Sequence, residues 1–142
     1  MSLETWLAHG WLTPHEASPQ ESQDLFEAAC RDLADARKDI SPSWRFAIAY
    51  NAALRLCTAA LQAAGYRATR DQKHYRTIAA LPLILGPEAQ EVAEFLDHCR
   101  ARRHDLTYES LSSVSETEAI ELIDTVAGLE ERVRRWVRTQ HR

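Results

Sequence analysis

The segment PSWRFAIAYNAALRLCTAALQAA, residues 42 to 64, constrains the fold more than any other part of the chain. Phe46, Tyr50, Ala53, Cys57, Ala60 and Ala64 recur at helical spacing as one apolar stripe, and Ile48, Ala52, Leu56, Ala59 and Ala63 form a second. A helix that is apolar on two sides must be enclosed on both. The segment therefore predicts a central helix with partners around it. Ser41 is a suitable N-cap with Pro42 at the first helical position, and Gly65 is placed to end the helix in a left-handed conformation.

The flanking sequence supplies those partners. Leu25, Ala29, Leu33 and Ala36 predict a helix over about 20 to 38, after a loop containing Pro14, Ser18 and Pro19. Residues from about 71 align His74, Ile78, Leu81 and Leu85 on one helical face, which Pro82 should kink or divide. A helix from Pro87 to about 104 carries Val92, Leu96 and Cys99 inward and reaches Arg103 on the same stripe. Ser115 followed by Glu118 is a capping-box signature. It opens a last helix with Ala119, Leu122, Val126, Leu129, Val133 and Trp136 inward. Residues 105 to 114 read as the connection, with Tyr108 beyond the end of the preceding helix. Residues 1 to 17, with Trp6, Leu7, Trp11 and Leu12 around Gly10, read as a short amphipathic segment docked on the body. The expected fold is all-α, a single domain over 1 to 142 with a bundle over 20 to 138. It is an antiparallel bundle of four or five helices, without an alternating strand pattern.

Composition narrows the function classes. Cys30, Cys57 and Cys99 are odd in number and each sits in an apolar helical pattern, so they read as small core residues in a reducing compartment. No zinc spacing, glycine-rich phosphate loop or nucleophile turn is present, so no metal and no cofactor are expected. The absence of a leader pattern or a membrane-length apolar run favours a cytoplasmic protein with no membrane role. A formal net charge of -4 argues against coating nucleic acid along the whole surface. The charge is segregated, however: residues 41 to 86 hold six bases against one acid, and residues 87 to 129 hold ten acids against three bases. Any anion site should be a local cleft.

The richest cluster is CRARRHDLTYE, residues 99 to 109. Arg100 and His104 share a face, and Arg100 and Arg102 suit a helix C-terminus or surface ion pairs. Arg103 does not, because a guanidinium on an inner stripe requires carboxylate, phosphate or carbonyl partners. Lys73 and His74 lie at the start of a helix, where Lys73 suits solvent and His74 a semi-buried position. Asn51 is an amide inside the apolar central helix and needs a partner there. Arg132, Arg134, Arg135 and Arg138 are too spread in angle to form one blade.

RFAIAYNAALRLCTAALQAAGY, KHYRTI and RARRHDLTYE together resemble the HEPN superfamily, in particular its small prokaryotic members, over about residues 20 to 137. The resemblance implies a helical bundle that forms a homodimer with paired motifs lining one cleft. It also implies RNA or nucleotide as ligand and metal-independent RNase activity in the active members. A nucleotidyltransferase-like protein is the implied partner in toxin and antitoxin pairs. In the motif of an arginine, a polar residue, three spacers and a histidine, Arg103, His104 and Tyr108 take the three functional positions. Tyrosine thus replaces the final histidine, and a group that titrates near 10 is a poor base at neutral pH. Arg100, Lys73, His74 and Asn51 are the accompanying ligand-binding candidates. The competing expectation is a non-catalytic dimerisation or protein-interaction module, in which Arg103 is tied to Asp97 or Asp105 beneath closed packing.

Overall fold

The computed structural model describes residues 1–108 and 114–140, with the backbone alone for 105–108. Four long helices form the body: α2 (Pro19–Ala36), α3 (Pro42–Ala63), α6 (Gln90–Tyr108) and α7 (Glu116–Gln140). Shorter pieces complete it: α1 (Leu3–Ala8), β1 (Leu12–Pro14), β2 (Tyr66–Ala68), α4 (Lys73–Ala79) and α5 (Leu81–Leu85).

The central-helix expectation holds. Phe46, Tyr50, Ala53, Cys57 and Ala60 are buried on one side of α3, and Ala52, Leu56 and Ala59 on the other. This helix packs on α2, α4, α5, α6 and α7. Alanine makes up half of the first stripe and more than half of the second, which lets neighbouring backbones approach from more than one direction. Each long helix runs opposite to the long helix before it, so α3 and α7 pack together while pointing the same way. Arg45 near the start of α3 pairs with Glu116 at the start of α7. At the other end, Gln62 and Ala63 share a depression with Gln140.

Local chemistry sets the boundaries. Ser41 accepts from the Trp44 amide, and Gly65 takes φ +103°, closing α3 as its sequence requires. A complete capping box joins Ser18 to Glu21 at the start of α2, where Pro19 opens the helix in a stretch read as loop. Glu21 also accepts from His15 at 2.8 Å, and that bond is the main reason its carboxyl is held below its ordinary range. Pro82 divides α4 from α5, one of its two expected effects. Pro87 opens only a single 3-10 turn (Pro87–Ala89) before α6 begins at Gln90.

Three expectations need correction. The last stretch of α6 extends to Tyr108, so the connection expected from 105 starts later and Tyr108 is helical. The chain contains strands: Leu12, Thr13 and Pro14 pair antiparallel with Ala68, Arg67 and Tyr66. They are three residues long, too short to show an alternation. Cys30 is exposed on α2, with its Sγ 3.6 Å from Arg134 Nη2, whereas Cys57 and Cys99 are core residues. Among the described residues, no helix is long and apolar enough to cross a membrane.

The N-terminal segment has its own apolar cluster, in which Trp6 and Leu12 meet Leu61 of α3, Ala68 of β2 and Ala80. Trp11 continues it outward. The Arg76 guanidinium of α4 lies over the Trp11 ring, 4.4 Å from its centre.

Candidate functional site

An open groove of about 690 Å³ runs between the start of α4 and the middle of α6, lined by Arg70, Gln72, Lys73, His74, Tyr75 and Arg100. Its α4 side depends on an unusual helix start. Gln72, with φ 52° and ψ 36°, lies in the left-handed region at the position before Lys73 and makes no side-chain cap. That conformation costs a non-glycine residue some energy. Arg76 reaches back from the helix and donates from Nη1 to the Asp71 carbonyl at 3.3 Å, restraining the turn.

Arg100 enters from α6. Its Nε donates to Asp97 Oδ1 at 2.8 Å, and its guanidinium lies 5.7 Å from the Tyr75 ring centre. Arginine can hold one carboxylate and still present other N–H groups, because its five donors fan out in a plane. Arg102 makes the ion pair expected of it, a fork with Glu118 from Nε at 3.2 Å and from Nη2 at 3.1 Å. Glu118 closes the predicted capping box at the same time, accepting from the Ser115 amide while its own amide donates to Ser115 Oγ. The Ser115 backbone bond and then Arg102 hold the Glu118 carboxyl below its ordinary range.

Arg103 turns toward the core. It is half-buried, with its guanidinium 5.5 Å from the ring centre of Tyr50 on α3. Tyr50 is 2 % exposed, and among the described residues its hydroxyl meets no hydrogen-bond partner. Burial pushes the Tyr50 phenol up to about 12, although the positive charges of Arg100 and Arg103 pull the other way. The phenol is therefore a neutral donor at physiological pH.

His74 was expected on the apolar face with Ile78 and Leu81. It is exposed instead, while Ile78 and Leu81 are fully buried. The protein around the ring still withholds water, and this burial is the largest cause of a pKa below the ordinary 6.5, followed by the charges of Lys73, Arg103 and Arg100. Burial and the neighbouring cations both favour the neutral imidazole.

Of the residues singled out in the sequence, Lys73, His74 and Arg100 share the groove. Arg103 sits behind it through Tyr50, and His104 is exposed one residue further along α6. The Tyr108 side chain lies outside the described residues. Asn51 is half-buried on α3 and does not line the groove. Arg70, Gln72 and Tyr75 belong to no motif of their own, and the packing of α4 on α6 makes them site residues. Tyr75, flanked by His74 and Arg76 and 41 % exposed, was the one detectable signal. Among the described residues there is no group of three or more His, Cys, Asp or Glu side chains placed to hold a metal.

No curated protein and no solved structure matches the chain. Residues 36–134 match the model of the SAV_6107-like HEPN family, an interval that begins at the end of α2 and includes α3, the groove and most of α7. An all-α bundle of this build, matched over well more than half of its length, belongs to the HEPN superfamily.

Proposed function

We propose that the chain binds RNA through the α4–α6 groove, with the phosphate backbone against Arg70, Lys73 and Arg100, and that it does so as a homodimer. The observation that carries this reading is the convergence of those three cations with His74 on one open groove of an otherwise acidic protein. Cations gathered on one face give phosphate affinity without requiring a positive net charge.

The same residues suit metal-independent cleavage. Neutral His74 takes the proton of an RNA 2'-hydroxyl, and the 2'-oxygen attacks the adjacent phosphorus. Arg100 stabilises the charge that builds on the phosphoryl oxygens, and Arg103 behind the groove adds its positive field. The bond to the 5'-oxygen breaks, that oxygen takes a proton from His104 or solvent, and a 2',3'-cyclic phosphate remains. This assignment moves the base from Tyr108 to His74, because histidine has the pKa for the work. A toxin held in check by a nucleotidyltransferase-like partner is the cellular setting the family resemblance supports.

A second reading, RNA binding without cleavage, is favoured by the tyrosine at 108 and by Asp97 already engaging Arg100. Incubating purified protein with pooled single-stranded RNA in EDTA separates the two. Cleavage with cyclic-phosphate ends, lost in Arg103→Ala and His74→Ala, supports the nuclease. Binding weakened by Lys73→Ala but without cut ends supports the second reading. Neither binding nor cleavage by the wild-type protein would overturn both.

A further inference from the structure

A second depression adjoins the groove. It has a volume of about 560 Å³ and is lined by Tyr75, Ala79, Gln90, Ala93, Glu94, Asp97, His98 and Ala101. This volume falls in the roughly 300–1,000 Å³ range of small-ligand sites. Two features join the depressions. Tyr75 borders both, and the Asp97–Arg100 ion pair spans them, with Arg100 in the basic groove and Asp97 in its neighbour.

Their chemistry differs in the way that a nucleotide's two halves differ. The first offers cations to a phosphate. The second offers the small side chains of Ala79, Ala93 and Ala101, the aromatic ring of Tyr75, acceptors at Glu94 and Asp97, and one histidine, His98. Phosphate is excluded from a depression edged by two carboxylates, whereas a base is uncharged and stacks readily on an aromatic ring. Carboxylates accept hydrogen bonds from exocyclic amino groups and repel carbonyl oxygens. Gln90 Nε2 donates to Glu94 Oε1 at 3.0 Å, which holds the Glu94 carboxylate in place and leaves its second oxygen able to accept.

We propose that this second depression is a nucleobase subsite, with Tyr75 as the stacking surface and Glu94 and Asp97 reading an exocyclic amine, so that the chain prefers cytosine, adenine or guanine to uracil. The inference rests on the RNA reading of the adjoining groove. Cytosine and uracil give the sharpest comparison, because they share a ring size and differ at one edge by an amino group against a carbonyl.

The test is fluorescence anisotropy with labelled 12-residue oligo(rC) and oligo(rU) at constant salt and pH 7.5, using the wild-type protein and the Glu94→Ala, Tyr75→Leu and Lys73→Ala variants. All three positions are exposed, and a thermal melt confirms that each variant folds. The expected result is oligo(rC) binding about ten-fold more tightly than oligo(rU), on the scale of one good base contact. Glu94→Ala should collapse that ratio toward one. Simple relief of repulsion would instead strengthen both oligonucleotides and leave the ratio intact, which would overturn the role of Glu94. Tyr75→Leu should weaken both. Equal wild-type binding of the two, still weakened by Lys73→Ala, would overturn the base subsite and leave the phosphate groove standing. No binding of either would overturn the groove and the subsite together.

Discussion

His74 and Tyr50 carry the sharpest expectations at single positions. In the unfolded chain His74 titrates near 6.5, and in the folded protein it titrates lower. As the pH falls, the unfolded state takes the proton first, so folding loses stability from about 6.5 downward until the folded midpoint has been passed. A bound phosphate reverses the sign, because it favours the imidazolium. RNA affinity of the wild-type protein should therefore strengthen as the pH drops from 7.5 to 6, with proton uptake on binding. A His74→Gln variant should show a flatter dependence in the same anisotropy titration. The Tyr50 hydroxyl was dehydrated on folding without finding a partner among the described residues, and such a group costs about 1–3 kcal/mol. Tyr50→Phe should be neutral or stabilising in urea denaturation. If it instead destabilises by more than about 1 kcal/mol, the hydroxyl has a partner that matters.

At the scale of elements, termini and turns are where sequence and structure agree best, and where they part the reason is physical. Ser115 and Glu118 announced the start of α7, and the same glutamate also holds Arg102 of α6. Ser115→Ala should cost about 1 kcal/mol in thermal or urea unfolding. Adding Arg102→Ala should cost less than the sum of the two single changes, since both act through one carboxylate. Leu56, fully buried on α3, was legible from periodicity alone. Leu56→Ala should remove about 2–5 kcal/mol. The groove was only half legible. Lys73, His74 and Arg100 stood out by residue type, but the left-handed Gln72 that aims the first two has no sequence signature, and Tyr75 becomes a site residue only when α4 and α6 are brought side by side. Strands of three residues hold too little pattern to be legible, whereas Ser18 with Glu21 obeys the same capping rule as Ser115 with Glu118.

Across the whole molecule, charge is sorted by segment and folding turns that sorting into surface. The six bases among residues 41 to 86 are divided: Arg45 and Arg55 engage Glu116 and Asp32, while Arg70 and Lys73 face the groove. Together with Arg100 they give about three phosphate contacts. A plot of log affinity against log salt for single-stranded RNA should then have a slope near −2. Lys73→Ala should reduce its magnitude by about 0.7. A slope indistinguishable from zero would rule out phosphate as the principal contact. Fold class was fully legible at this scale, because two apolar stripes on one helix leave few architectures other than a bundle around it.

The stacking of Trp11 under Arg76 has a consequence for how the protein is made. The arginine leaves the ribosome 65 residues after the tryptophan. At about 5–20 residues per second that interval is roughly 3–13 seconds. For that time Trp6, Trp11 and Leu12 emerge with neither β2 nor α4 to cover them, and two tryptophans within six residues form a patch that a nascent-chain chaperone can hold. The tryptophan segment is thus made before the elements that cover it, and Arg76 of α4 gains its stacking partner only when the two meet.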